Sequence, residues 1–261
     1  MKPSDDDLRK AITATGEELK SLVHHPSSHV ISRVILNRNL TEDLALVIAN
    51  RRNVLSEVME ALYHNGKWKE YYRIVQALSK NPRTPQKIAL ALLKSLRIID
   101  IADLTRNKQV PIGVRTKAEL YINEKILTLP LGIKITIARR ASRHVLMRLI
   151  EDGMREVVDV CLQSHYITEG DICNIVRMRK IAGHVIRQIA EHPKWSGRYE
   201  VQLALIRNNN TPLARVVKYL ENIKTTDLKE LYRDTEVPAS TKPFIHRELL
   251  DRGAIEIEAT H

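Results

Sequence analysis

Apolar residues recur along this chain at helical spacing, in runs of about 8 to 14 residues separated by two to five polar or proline-bearing positions. Over 42–49, Leu44, Leu46, Val47 and Ile48 crowd one broad face. Over 54–62, Val54, Leu55, Val58, Met59 and Leu62 fall at helical intervals. Segments 72–78, 88–96, 145–150, 157–162, 181–189, 201–206 and 216–220 follow the same rule. Strict two-residue alternation is rare, and Asn65-Gly66 joins two helical patterns rather than two strand-like runs. The pattern predicts an all-α protein built from short helices.

The polar positions between the runs carry helix-start signals. In Asn81-Pro82-Arg83-Thr84-Pro85 and Asn208-Asn209-Asn210-Thr211-Pro212, the Thr is expected to accept amide hydrogens of the first turn. Pro85 and Pro212 are then expected at the first helical position, where a missing N–H costs nothing. Thr41 and Thr168 precede acidic first turns, and Asp171, three residues after Thr168, completes the spacing of a capping box. Asp100 and Asp227 precede short helical runs and are expected as caps. A nucleophilic role for these Thr residues lacks a recurring base beside them.

The spacing of these signals is itself periodic. Trp68 recurs as Trp195, Thr84-Pro85 as Thr211-Pro212 and Val110-Pro111 as Val237-Pro238, always at a step of 127 in the numbering. Between Thr41 and Pro111 the same step matches nineteen positions without a gap, among them Arg52/Arg179, Tyr72/Tyr199, Asn81/Asn208 and Asp100/Asp227. Chance supplies about four matches at ordinary composition, so an internal duplication is expected. Within it, 137–142 and 176–181 look like the same helix end and turn. The step between those two segments is close to forty residues, the size of HEAT or armadillo helix–turn–helix units, which must stack to hide their apolar faces. The expected architecture is one continuous right-handed α-solenoid of HEAT-like helix pairs over residues 1–261, about six pairs in all. The first copy covers about 12–130 and the second about 139–253, with 1–11 and 254–261 as terminal segments. No Gly/Ser-rich linker divides the halves.

Composition agrees with closely stacked helices. Of 261 residues 43% are hydrophobic but only 4% aromatic, with a single Phe, so the core must rest on Leu, Ile, Val and Ala. No stretch approaches the roughly 20 apolar residues of a membrane span. The start of the chain carries Asp5-Asp6-Asp7 and no apolar run, unlike a secretory signal; a cytoplasmic location is expected. Cys161 and Cys173 lie among apolar residues and read as small buried hydrophobes. His24, His25 and His29 are interrupted by Pro26 and two Ser, so one helical face cannot present them to a metal. No metal or cofactor is expected.

The segments 136–152 and 167–220, with His192-Pro193-Lys194-Trp195 and Asn208-Asn209-Asn210-Thr211-Pro212, resemble the HEAT-like, leucine-rich-repeat-variant α-solenoids of bacteria. The resemblance covers about residues 20 to 250. It implies a fold and a bacterial origin, not a reaction. Some members of that family hold an iron–sulfur cluster through four Cys near the start; this chain has two Cys, neither near its start, so that feature is not carried over.

The net charge of +11 favours an anionic partner. Arg51, Arg52, Arg139, Arg140, Arg143, Arg177, Arg179 and Lys180 sit at or beside three similar helix ends, and stacked in register they would line one basic ridge. The recurring Lys-Trp-x-x-x-Tyr motif at Trp68 and Trp195 reads as packing, the indole plugging a junction and donating its N–H to a loop carbonyl. Thr84, Pro85, Thr211 and Pro212 are likewise structural. The function expected is a non-enzymatic scaffold that binds a protein partner, an acidic segment above all. A DNA- or RNA-binding solenoid using the same ridge is the alternative. An enzyme of the HEAT-like DNA glycosylase type would need an asymmetric aromatic cleft, whereas these aromatics repeat symmetrically.

Overall fold

A computed structural model describes residues 4–255, and among them the chain forms eighteen α-helices and no strand, an all-α fold. The chain divides into two compact units, one of residues 1–125 with 140–142, the other of 126–139 with 143–261. The first holds α1 (Asp5–Thr13), α2 (Gly16–Leu22), α3 (Ser28–Val34), α4 (Glu42–Asn50), α5 (Ser56–His64), α6 (Tyr72–Lys80), α7 (Gln86–Leu92), α8 (Ile98–Arg106) and α9 (Ile112–Lys125). The second is built on α10 (Leu131–Arg140), α11 (Arg143–Asp152), α12 (Arg155–Gln163), α13 (Glu169–Arg177), α14 (Gly183–Glu191), α15 (Tyr199–Ile206), α16 (Leu213–Leu220), α17 (Thr225–Arg233) and α18 (Lys242–Asp251).

Helices this short are marginal alone and depend on burying one face. α6 buries Ile74, Val75, Ala77 and Leu78, and α14 buries Val185, Ile186, Ile189 and Ala190. Each face meets the next helix and the one two places along: α4 packs on α6, α6 on α8 and α7 on α9, while α11 packs on α13, α12 on α14 and α13 on α15.

Side-chain amides tie these layers together. Asn37 Nδ2 donates to Ala11 O, Asn65 Nδ2 to Ile35 O and Asn81 Nδ2 to Ala49 O and Arg51 O. In the second unit Asn208 Nδ2 donates to Val176 O. These bonds join residues 26 to 32 apart, so successive layers are separated by fewer residues than the forty-residue step expected. The same residues also close their own turns: the side-chain oxygens of Asn37, Asn65, Asn81 and Asn107 each accept the amide hydrogen two residues on. At the positions 127 residues further on, Ser164, His192, Asn208 and Asp234 accept in the same way.

Two expected caps work differently. Pro85 and Pro212 are themselves the residues preceding α7 and α16, so Thr84 and Thr211 stand one position too early to reach first-turn amides. Their hydroxyls instead donate backward, to Leu78 O at 2.7 Å and Leu205 O at 2.6 Å, in the last turns of α6 and α15. Nor do Asp100 and Asp227 cap their own helices. The Tyr72 hydroxyl accepts the Arg97 amide hydrogen at 2.9 Å and donates to Asp100, and Tyr199 does the same for Lys224 and Asp227. A phenol from a neighbouring helix is thus the cap, and the carboxylate orients it. Thr41 and Thr168 do cap α4 and α13, the latter in a capping box with Asp171.

The tryptophans are both buried and diverge in one respect. Trp195 Nε1 donates to Leu162 O at 2.9 Å. Trp68 Nε1 has no partner among the described residues, and the matching carbonyl, Ile35 O, accepts instead from Asn65 at 3.1 Å. A charge pair is buried where Lys134 Nζ lies 2.6 Å from the Asp152 carboxylate, both almost fully enclosed. Cys161 and Cys173 are buried free thiols, and burial pushes the Cys161 thiol up to about 12. No helix among the described residues is long and apolar enough to cross a membrane.

Candidate functional site

Basic residues gather at helix C-termini for a local reason, since unsatisfied carbonyls there carry partial negative charge. Several of the ridge residues are consumed by this task. Arg51 Nη1 donates to Val23 O at 2.6 Å beside the end of α2, and burial pulls its guanidinium below the ordinary value. Arg140 Nη1 lies 3.2 Å from an Asp103 carboxylate oxygen in the first unit. Arg143 donates through Nε at 2.8 Å, and also through Nη2, to the buried carboxylate of Asp171. Arg139 is engaged as well. Arg52, Arg177, Arg179 and Lys180 are exposed, and their charged groups have no hydrogen-bond or ion-pair partner among the described residues.

Three of those four line pockets. In the first unit a pocket of about 190 Å3 opens where α4, α6 and the turn after α8 end, lined by Asn50, Arg52, Ala77, Lys80, Asn81 and Gln109 among others. In the second unit a pocket of about 540 Å3 is lined by Arg177, Arg179, Ala204, Arg207, Asn208 and Glu236 together with Asn209 and Asn210. The first six residues named for the second pocket each stand 127 positions after one of the six of the first. At each pocket a lining Asn, Asn81 or Asn208, covers a helix-end carbonyl with its amide, which leaves the Arg groups free to face outward.

The pockets are basic but not bare. Lys80 Nζ lies 3.7 Å from Asp103, and Arg207 Nε lies 2.8 Å from Asp234. The Arg207 hydrogen bond holds the Asp234 carboxyl below its usual range. Once these pairs are set aside, Arg52 remains unopposed in the first pocket, and Arg177 and Arg179 face Glu236 in the second. Such guanidiniums can accept a carboxylate or phosphate as a bidentate partner. A third polar groove, between α12 and α14, sets Arg155 and Arg187 against Asp159 and Glu191 and so lacks a net sign.

Of the residues expected on one ridge, Arg52, Arg177 and Arg179 line pockets, whereas Arg51, Arg140 and Arg143 serve the fold. Sequence reasoning misses Lys80, Arg207, Asn81 and Asn208 as lining groups. The signal is present, because Asn81/Asn208 and Arg52/Arg179 are among the matched positions. Among the described residues no group of three or more His, Cys, Asp or Glu is placed to hold a metal ion. No protein-family model, curated protein or solved structure matches the chain.

Proposed function

We propose that this chain is a helical-repeat scaffold, an internally duplicated α-solenoid, that binds an acidic segment of a partner protein through its two basic pockets. The duplication is supported by turn closures, phenol caps and Thr–carbonyl bonds that recur at equivalent positions of the two halves. The solenoid reading is supported by helices that pack one and two places along the chain. The observation that carries the binding reading is the pair of matched pockets, each keeping an Arg, Arg52 or Arg179, with no internal partner. Separate polar recesses suit carboxylate side chains better than a continuous phosphate track. The adjacent charges of Arg177, Arg179 and Lys180 favour the second reading, contact with nucleic acid phosphates.

Titration with a glutamate-rich peptide, a duplex DNA and a single-stranded RNA, each at low and moderate salt, separates the two. The acidic-segment reading expects peptide binding that weakens roughly three- to tenfold in an Arg52→Ala/Arg179→Ala variant, the size of one or two partly exposed ion pairs. Nucleic acid binding tighter than peptide binding, with affinity falling steeply as salt rises, replaces it with the second reading. Absence of binding to all three at low salt ends both.

A further inference from the structure

The first unit contains a cavity of about 140 Å3 lined by Leu62, Tyr63, Trp68, Val75, Leu78 and Leu92 among others. Leu62, Val75, Leu78 and Leu92 are buried, as is the Trp68 indole, whose Nε1 has no partner among the described residues. Lys69 and Ser95 bring polar groups to the same cavity. Nothing in the acidic-partner reading uses this space.

The second unit shows what fits there. At the position matching Leu92 stands Tyr219, 3% exposed, whose hydroxyl donates to Ala190 O at 2.6 Å. At the position matching Val75 stands Gln202, also buried, whose Nε2 donates to Ser196 O at 2.8 Å. Ala190 in turn matches Tyr63, and Trp195 matches Trp68. The second unit thus carries a phenol ring and an amide at the positions of two wall residues, Leu92 and Val75, while in the first unit Tyr63 lines the cavity where the second has the small Ala190. A volume of about 150 Å3 is large enough to take a benzene ring, and Lys69 and Ser95 give this one a polar side as well.

We propose that the cavity beside Trp68 binds one aromatic ring of phenol size, supplied from outside the chain where Tyr219 supplies it within the second unit. The ring lies against the Trp68 indole and the Leu and Val side chains, and a hydroxyl on it has the Tyr63 carbonyl as the counterpart of the acceptor that Tyr219 uses. The inference rests on the matching of equivalent positions in the two halves and is independent of the acidic-partner reading.

Saturation-transfer NMR of the full chain with phenol, and separately with N-acetyl-tyrosinamide, tests it. Saturable phenol binding at one site per chain is expected, weakened at least tenfold by Leu92→Tyr, which transplants the ring of the second unit. Tyr219→Leu is expected to add a second phenol site. Binding of N-acetyl-tyrosinamide as well as phenol identifies the ring as a partner's tyrosine side chain, and binding of phenol alone identifies a free small molecule. Arg52→Ala should leave phenol binding unchanged, which keeps this test apart from that of the basic pockets. Should Leu92→Tyr fail to unfold cooperatively, Val75→Gln takes its place. No saturable binding to the unaltered chain, or binding unaffected by the substitution that folds, overturns the proposal.

Discussion

Asp171 illustrates how a charge is made tolerable inside this fold. Its side chain is 2% exposed, where an unpaired carboxylate would be strongly destabilising. Burial pushes its carboxyl up, but hydrogen bonds from Arg143 and Thr168 outweigh that and hold it below the ordinary 3.8. A carboxylate depressed in the folded state stabilises the fold fully above its unfolded value and loses that contribution as pH falls through the folded value. The stabilisation from Asp171 is therefore intact above about pH 3.8 and drains away in more acidic solution. Arg143→Ala removes the main compensating donor, so the variant should unfold at higher pH than the parent in an acid titration followed by circular dichroism. An unchanged acid midpoint would show that Thr168 alone holds the carboxylate. The residue types hint at the capping box but not at the clamp, because Arg143 and Asp171 lie 28 residues apart and meet only when α11 packs on α13.

Among the elements, the helices are legible in the sequence because apolar spacing depends on neighbours three and four residues away. How their ends are tied is not. Thr84-Pro85 looks like a helix start, yet the proline takes the boundary position and the hydroxyl turns back to the preceding helix. Asn81 looks like an ordinary turn residue, yet it makes three hydrogen bonds at once: two donated to Ala49 O and Arg51 O at the end of α4 and one accepted from the Arg83 amide. Its side chain is buried, so its replacement leaves backbone groups without partners. Asn81→Ala should cost about 1–3 kcal/mol in urea unfolding. Asn81→Asp retains the acceptor but aims a carboxylate at two carbonyls, and it should cost more than the alanine. A milder Asp than Ala would mean that closing the turn, not pinning α4 to α6, is the larger contribution.

For the molecule as a whole, composition correctly foretells a core of aliphatic side chains around two tryptophans. It foretells a basic surface less well, since counting Lys and Arg does not reveal which ones are engaged. Arg51, Arg140 and Arg143 look like Arg52, Arg177 and Arg179 in sequence, and only the packing of their helices separates donors to the fold from donors to solvent. That separation sets opposite signs for the effect of salt. The pair most deeply set, Lys134–Asp152, is poorly screened by dissolved ions. The excess of +11 charges is largely a surface property, and its self-repulsion is screened readily. Raising sodium chloride from low to moderate concentration should therefore raise the melting temperature and, under the proposed acidic-partner reading, weaken capture of an acidic peptide. The Arg52→Ala/Arg179→Ala variant removes two uncommitted charges and should show a smaller rise with salt. A melting temperature that falls with salt would instead mean that exposed attractive pairs such as Arg73–Asp43 outweigh the repulsion.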